Sequence, residues 1–440
     1  MSSEPQAADK EGSNEHYLDH LATINKETGV VAVQDIYNTS GALLARQGAR
    51  IDYATARRLT QHKSAQPIEQ QLQIEGSLTT EGLRKQLLTF LNQHEDLATL
   101  QKNLHADDEL GLLFNKTLSP ILLQKLTVMA MQMPMLFEQA LFGAWLATLL
   151  AKPLKLRAVE IRRAGIAALA RDVGLLHLPP TLLEQERRFS PEEWRAMQSH
   201  TVVGQIILND TAGMDPGIGR AVLEHHEARD GSGYPAGKQD AALELPGRIV
   251  NLVDTLCAIR LKNFKGTGRN LSDTQPFLLM NSHAYERGLY DAICSMLRES
   301  GLQRTAINPL GDQTALLTQL IDQGNTMRRS LPVVNELRNL ISTDQKEMTA
   351  RKLGRTAVQT YTVMTSSGLV NDEIMAWLEG LRQASPADEV ALLCEIELLQ
   401  KELGWHLTHL RRALKTYLNE ANPQDVSYGR LKELAVGLGA

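Results

Sequence analysis

The residues able to do chemistry sit where helices should bury apolar side chains. Ile161, Ala164, Gly165, Ala168 and Asp172 recur at helical spacing, so one helix face carries them and aims Asp172 inward. Trp194, Met197, His200, Gly204 and Ile207 share a second face, and His200 points inward with them. Ile218, Ala221, Val222 and His225 repeat the pattern, as do Val250, Val253, Asp254 and Cys257. Four helices thus each turn one metal-competent side chain toward a common interior. An ionised carboxylate left unpaired in an apolar core is costly, and no lysine lies on these stripes to pair with Asp172 or Asp254. Two imidazoles and two carboxylates that converge can satisfy one another around a divalent cation, and such N and O ligands suit Fe, Mn or Zn. Two metal-free readings stay open: hydrogen-bonded core histidines, and Asp172 paired with a nearby arginine.

The elements that must hold these groups are mostly helical. Ser190-Pro191-Glu192-Glu193 reads as a helix start, with Ser190 as N-cap, Pro191 at the first helical position and Glu193 closing a capping box. Helical patterns dominate from Thr79, where Thr79-Thr80-Glu81-Gly82 caps a helix running toward Leu104. Leu392, Ile396, Leu399, Leu403, Leu407, Leu410 and Leu414 form an apolar stripe on one long helix. That stripe is either the core of a bundle or the seam of a homodimer or partner helix. Upstream, Val30–Val33 and Ala42–Arg46 read as strands around the turn Asn38-Thr39-Ser40-Gly41, Ala54–His62 as a helix and Ile68–Ile74 as a further strand. The predicted fold class is mainly α, divided into a disordered tail (1–15), a small α/β module (16–78), a helical connector (79–134), an all-helical domain (135–300) and a C-terminal helical region (301–440).

Composition excludes several function classes. The 440 residues exceed one ordinary core and suggest two to four domains at about 150 residues each. Hydrophobic residues make up 43% and charged residues 22%, as in a folded globular chain. With 46 basic against 51 acidic residues, a net charge of -5 and only 5% aromatics, neither a phosphate-neutralising surface nor a base-stacking platform is expected, so no nucleic-acid partner. Cys257, Cys294 and Cys394 lack CxxC spacing, which argues against a disulfide framework or a thiolate zinc site. Residues 1–15 do not read as a signal peptide, and the apolar run Leu141–Ala151 is about half of the ~20 residues a membrane span needs, so no membrane partner and a cytoplasmic location are expected.

At these residues the chain resembles the HD-GYP domain, a branch of the HD phosphohydrolase superfamily that hydrolyses cyclic di-GMP. The resemblance runs from about 135 to 298. Its most specific stretch, Glu224-His225-His226-Glu227-Ala228-Arg229-Asp230-Gly231-Ser232-Gly233-Tyr234-Pro235, joins a His-His-Glu element to an Asp-Gly-x-Gly-Tyr-Pro loop. Gly247-Arg248-Ile249-Val250 followed by Asp254 also fits, as does Phe189–Gly204 with its HxxxG element His200–Gly204. The resemblance implies that Asp172 is the catalytic, metal-bridging Asp, with His200, His225, His226 and Asp254 as further ligands. Two metals about 3.5–4 Å apart would activate a bridging water and clamp a phosphodiester during in-line displacement. It also implies ligand contacts from Arg229, Asp230, Gly233 and Tyr234, and a signalling protein partner such as a diguanylate cyclase-type domain; a ligand contact from Arg171 is expected from its guanidinium chemistry instead.

Three positions depart from the family. Arg171 stands where the family has the His before the Asp, Leu175 where it has a Lys, and Gln139 where an upstream His is expected. The losses fall on one half of the site. The first metal keeps only Asp172 and Asp254, whereas the set for the second, Asp172, His200 and His225, is intact. A guanidinium ~4 Å from a divalent ion is repelled by roughly 8 kcal/mol at an effective dielectric of 20. Arg171 either turns away, or replaces the lost positive charge by pairing with Asp172 or a ligand phosphate. His226 and Glu227 fit a third metal, a hydrogen-bond network or a polar helix end, and His177 reads as structural. The leading expectation is a degenerate receptor or adaptor of cyclic di-GMP signalling with weak or no hydrolysis and at most partial metal occupancy. An active metal-dependent phosphodiesterase and a protein-binding scaffold without metal or nucleotide are the alternatives.

Overall fold

The computed structural model describes residues 13–62, 64–183, 189–305, 313–341, 347–382, 389–425 and 427–439. The fold is mainly α, and the chain divides into two compact units. One comprises Met1–His226 with Glu244–Ala258, the other Glu227–Leu243 with Ile259–Ala440.

In the first unit, the predicted tail lies outside the described residues up to position 12, but Ser13–Ile24 is a helix. The polar composition of its exposed face masks an apolar stripe. Tyr17, Leu18, Leu21 and Ile24 are all buried, each burial stabilising by roughly 1.5–3 kcal/mol. The strands Val30–Ala32 and Leu72–Ile74 pair antiparallel, with Val30 opposite Ile74, and Ile36–Tyr37 pairs with Leu43–Ala45. Residues Ile68–Gln70, expected as strand, form a 3-10 turn instead. The helix Tyr53–Gln61 is capped by the Asp52 carboxylate, which accepts from the Thr55 amide.

A buried cation ties this module to the helical part. Lys125, on the helix Pro120–Gln132, is fully buried with Nζ 3.1 Å from Glu69 Oε1 and 2.8 Å from His177 Nε2. The same ammonium lies 3.1 Å from the centroid of the Tyr17 ring, which stacks on His177. Burial pulls the Lys125 pKa down to about 8 against the pull of Glu69. His177 is thus held in this nest.

Two helices break where the sequence suggested continuity. Thr79 caps a helix that ends at Asn92, and a second, Glu95–Asn103, follows the extended residue His94, whose ring meets the Phe90 carbonyl at 2.9 Å. Ser190 and Glu193 form the expected capping box, but that helix ends at Gln198 and a new one, His200–Asn209, begins. Trp194 and Met197 are therefore only half-buried, while His200 and Gly204 are buried.

In the second unit, the helices Gln313–Leu340, Met348–Ser366, Asp372–Leu381, Val390–Glu420 and Tyr428–Leu438 share one apolar core. Ile396, Leu403, Leu407, Leu410 and Leu414 are buried in it and Leu399 packs against it. The leucine stripe is thus the seam of a bundle within the chain, and Leu392 stands outside it, exposed. No helix among the described residues is long and apolar enough to cross a membrane.

Candidate functional site

The predicted residues converge within the first unit. The stripe Ile161, Ala164, Gly165 and Ala168 is buried on the helix Ala158–Ala170, and Asp172 follows directly after its C-cap Arg171. His200 opens its helix, His225 caps the C-terminus of Pro216–Glu224, and Asp254 projects from Leu245–Cys257. A close approach makes this possible. A Cβ on Gly174 would overlap the His200 carbonyl, so only glycine lets the turn after Asp172 pass against the His200 helix.

The imidazoles form one cluster. Ligand atoms of His200, His225 and His226 all lie within 4.8 Å of one another. His200 Nδ1 is 2.7 Å from the Met197 carbonyl and His225 Nδ1 is 2.6 Å from the Val222 carbonyl. A carbonyl can only accept, so both Nδ1 atoms carry protons in the neutral rings and both Nε2 atoms present lone pairs. Those two Nε2 atoms face each other at 3.4 Å. Asp172 Oδ1 lies 4.0 Å from His200 Nε2, and Asp254 Oδ2 lies 3.9 Å from His226 Nδ1. Burial, reinforced by the His200 ring, pulls the His225 pKa down to about 4, and burial with His225 also holds His226 well below the ordinary imidazole value. These rings stay neutral, the form in which imidazole ligates a cation. Fixing one ring nitrogen on a carbonyl is also how metal-binding histidines are oriented.

The carboxylate side is filled differently. Arg171 is fully buried, its Nε 2.9 Å from Asp254 Oδ1 and 3.2 Å from Asp172 Oδ2. Its Nη1 donates to the carbonyls of Gln139 (3.1 Å) and Ala168 (3.0 Å), and its Nη2 lies 3.6 Å from Cys257 Sγ. Burial opposes this charge, yet the two carboxylates outweigh it and raise the Arg171 pKa above its ordinary value. Each guanidinium nitrogen is engaged within the protein, which differs from the ligand-phosphate contact expected for Arg171. Pairing with Asp172 was foreseen; pairing with Asp254 as well was not.

Gln139 is buried on Pro134–Leu149, where its main-chain oxygen receives Arg171 and, at 3.6 Å, the Cys257 thiol. Leu175 joins Leu178 and Leu182 in an apolar cluster with Leu136, Phe189 and Met197. Sequence reasoning missed two parts of this pocket. Gly143 has no Cβ because one would overlap Arg171 Nη1. Cys257 is a polar neighbour of the guanidinium, and burial pushes its thiol up to about 12 despite that charge. The inward stripe containing Cys257 was visible, but which side chain filled the space beside it was not.

Arg229, Asp230, Gly233 and Tyr234 lie in the second unit, with the segment Glu227–Leu243. Arg229 Nε donates to Asp240 Oδ2 at 2.8 Å and its Nη1 to the Tyr285 carbonyl at 3.1 Å. Asp230 Oδ1 accepts from the Ser232 amide and hydroxyl. Glu227, left ambiguous by the sequence, is a brace of this loop: its carboxylate accepts from the amides of Ala236 (2.6 Å) and Lys238 (2.9 Å).

A family model described as the HD domain matches residues 123–292. The 3'3'-cGAMP-specific phosphodiesterase 1 of Vibrio cholerae is 29% identical over 191 residues, which are 40% of this chain and 41% of that protein. A cyclic di-GMP phosphodiesterase of Thermotoga maritima is 31% identical over 116 residues, covering 26% of this chain and 32% of the relative. A cyclic di-GMP phosphodiesterase response regulator of Xanthomonas campestris is 32% identical over 114 residues, covering 26% and 30%. The chain thus spans less than half the length of each of these relatives. The HD-domain match spans the helices that carry the Asp172, His200, His225 and Asp254 positions, and over that stretch the chain is similar to HD-domain proteins.

Proposed function

We propose that this protein serves cyclic di-GMP signalling as a receptor or adaptor with weak or no phosphodiesterase activity. The observation that carries the reading is the Arg171 guanidinium seated between Asp172 and Asp254, the two carboxylates left for the first metal. A fixed cation already neutralises them, and a guanidinium cannot supply an activated water. The donor set there does not fit a divalent ion. The imidazole side does fit one: His200 and His225 direct lone pairs at the same point, with His226 and Asp172 at its edge. A metal bound there would act as a Lewis acid toward a phosphoryl oxygen. The chain's own residues supply the rest: the carbonyls of Met197 and Val222 fix the rings, and Arg171 holds both acids in place. Leu175, in an apolar cluster, brings no charge to a phosphate. Relatives that act on cyclic di-GMP or cGAMP support a cyclic dinucleotide as ligand.

A second reading, an active metal-dependent phosphodiesterase, is favoured by the intact three-histidine cluster. Titration calorimetry with cyclic di-GMP, with and without Mn, alongside a hydrolysis assay and metal analysis, separates the two. The receptor reading expects nucleotide binding, at most partial occupancy by Fe, Mn or Zn, and little turnover. Robust hydrolysis abolished by His225→Ala would establish the enzyme. Binding of neither nucleotide nor metal would leave a protein-binding scaffold.

A further inference from the structure

Glu224 adjoins the two histidines in sequence, yet its carboxylate serves another purpose. It is buried, and it joins the helix Pro216–Glu224 to the helix Leu245–Cys257, which carries Asp254. Both helices belong to the first unit. Glu224 Oε1 accepts from Arg220 Nε at 2.9 Å, one turn back on its own helix, and Oε2 accepts from the Glu244 amide at 3.1 Å. Arg220 Nη1 continues to Glu244 Oε1 at 2.6 Å. Glu244 is the N-cap of the Asp254 helix, at the end where amides lack partners within the helix and a negative charge is favoured. A Cβ on Gly247 would come within 2.9 Å of Glu224 Cβ, so the first turn of this helix approaches Glu224 closely only as glycine.

A second bond joins the same two helices at the site itself. The Asn251 Nδ2 donates to the His225 carbonyl at 2.9 Å. His225 is the C-cap of its helix, where carbonyls have no intrahelical donor, and Asn251 supplies one. Asn251 stands three residues before Asp254, so both side chains leave the same side of their helix. The His225 ring is in turn tied to its own helix through Nδ1, 2.6 Å from the Val222 carbonyl. A continuous series of bonds thus runs from the His225 ring, through its helix and Asn251, to the helix that positions Asp254.

We propose that Asn251 and Glu224 are positioning residues: they hold His225 in register with Asp254, the first by gripping the His225 carbonyl and the second by fixing the start of the Asp254 helix. The imidazole and carboxylate halves of the site come from different stretches of chain, and these two side chains set the spacing between them. Neither belongs to the histidine cluster, and each acts through backbone atoms. Outer groups that orient metal ligands act in this way, and their loss weakens metal binding by roughly 10–100-fold. The proposal rests on the reading of the histidine cluster as the metal-binding half of the site, and it names what keeps that half in register.

The experiment uses the full chain with two substitutions. Asn251→Leu removes the donor at similar volume, and Glu224→Gln keeps an acceptor for the Glu244 amide but removes the charge that holds Arg220. Asp52→Ala, which strips a helix cap in the N-terminal module, controls for loss of stability alone. In the metal-free chain, the ring carbon–proton NMR signals of His225, assigned with His225→Gln, are expected to move in Asn251→Leu, to move less in Glu224→Gln, and to stay in place in Asp52→Ala. Mn affinity, measured by titration calorimetry, is expected to fall about tenfold in Asn251→Leu and by less in Glu224→Gln. Asn251→Gln, which restores an amide donor, is expected to recover part of the loss. Stationary His225 signals in both variants overturn the proposal, as do equal shifts in Asp52→Ala or an unchanged Mn affinity in Asn251→Leu. If Asn251→Leu does not fold, Glu224→Gln decides by the same two readouts. Failure of the site reading shows separately, as absent Mn binding by the unmodified chain, and the metal-free ring signals then still decide whether Asn251 and Glu224 position His225.

Discussion

The two halves of this pocket solve one electrostatic problem in opposite ways. On the carboxylate side, Asp172 and Asp254 are neutralised by a cation the chain supplies itself, locked by Gln139, Ala168 and Cys257. On the imidazole side, the rings of His200 and His225 are fixed by backbone carbonyls and their Nε2 atoms face each other at 3.4 Å. The first half carries a built-in cation, and the second is a cluster of imidazoles. One substitution, an arginine beside the bridging-type aspartate, is enough to separate the two, because a buried acid accepts any cation that reaches it. The imidazole side is answered differently, its rings held by the carbonyls of Met197 and Val222 rather than by a neighbouring charge.

The comparison breaks most readily at Arg171. Arg171→Ala leaves the buried Asp172 and the half-buried Asp254 without their partner and is expected to destabilise by about 3 kcal/mol in urea unfolding. Added Mn should recover part of that loss, because the vacated space then suits a metal. Replacing Arg171→His together with Gln139→His should raise bound metal per chain; unchanged metal content would show that the two halves are not alternatives.

The imidazole half should show its character in acid. His225 has a folded pKa of about 4 against an unfolded value of about 6.5, so the unfolded chain binds more protons between those values. Stability of the metal-free protein therefore rises with pH across that window, by up to ~3 kcal/mol from this one ring. His225→Ala should flatten the rise, and an identical slope in the variant would contradict the burial of a neutral ring.

Gly143→Ala sharpens the contrast by pressing only on the guanidinium. Overpacking of this kind costs roughly 1–3 kcal/mol, and metal affinity of the histidine cluster should stay within error of the unmodified chain. The smallest effect belongs to Cys257→Ala, expected at about 1 kcal/mol or less for two long sulfur contacts. The same thiol, pushed up to about 12, should resist alkylation at pH 8 in the folded protein and react on unfolding.

Much of the site was legible because helical periodicity reports direction. Asp172, His200, His225 and Asp254 could be aimed inward from their apolar neighbours alone. Directions do not report partners, however. Arg171 and Asp254 are far apart in the chain, and three fates for that arginine were equally compatible with its spacing. Gly143 carried no signal until a guanidinium was seen to lie against it. The helix Ser13–Ile24 was hidden by its polar face, and the nest of Tyr17, Glu69, Lys125 and His177 by the scatter of its members along the chain. The Gly-Tyr-Pro loop reads as part of one domain by order and packs with another by contact.

Sequence alone determined the helical character, the inward residues and the resemblance to the HD domain, since these follow from local spacing and from a motif whose elements come in a fixed order. Tertiary structure decided which cation answers the two acids, which rings present lone pairs, and which groups join the His225 helix to the Asp254 helix. Each of these depends on contacts of 2.6 to 3.2 Å that only folding creates, where charge and hydrogen-bond energies change steeply with separation.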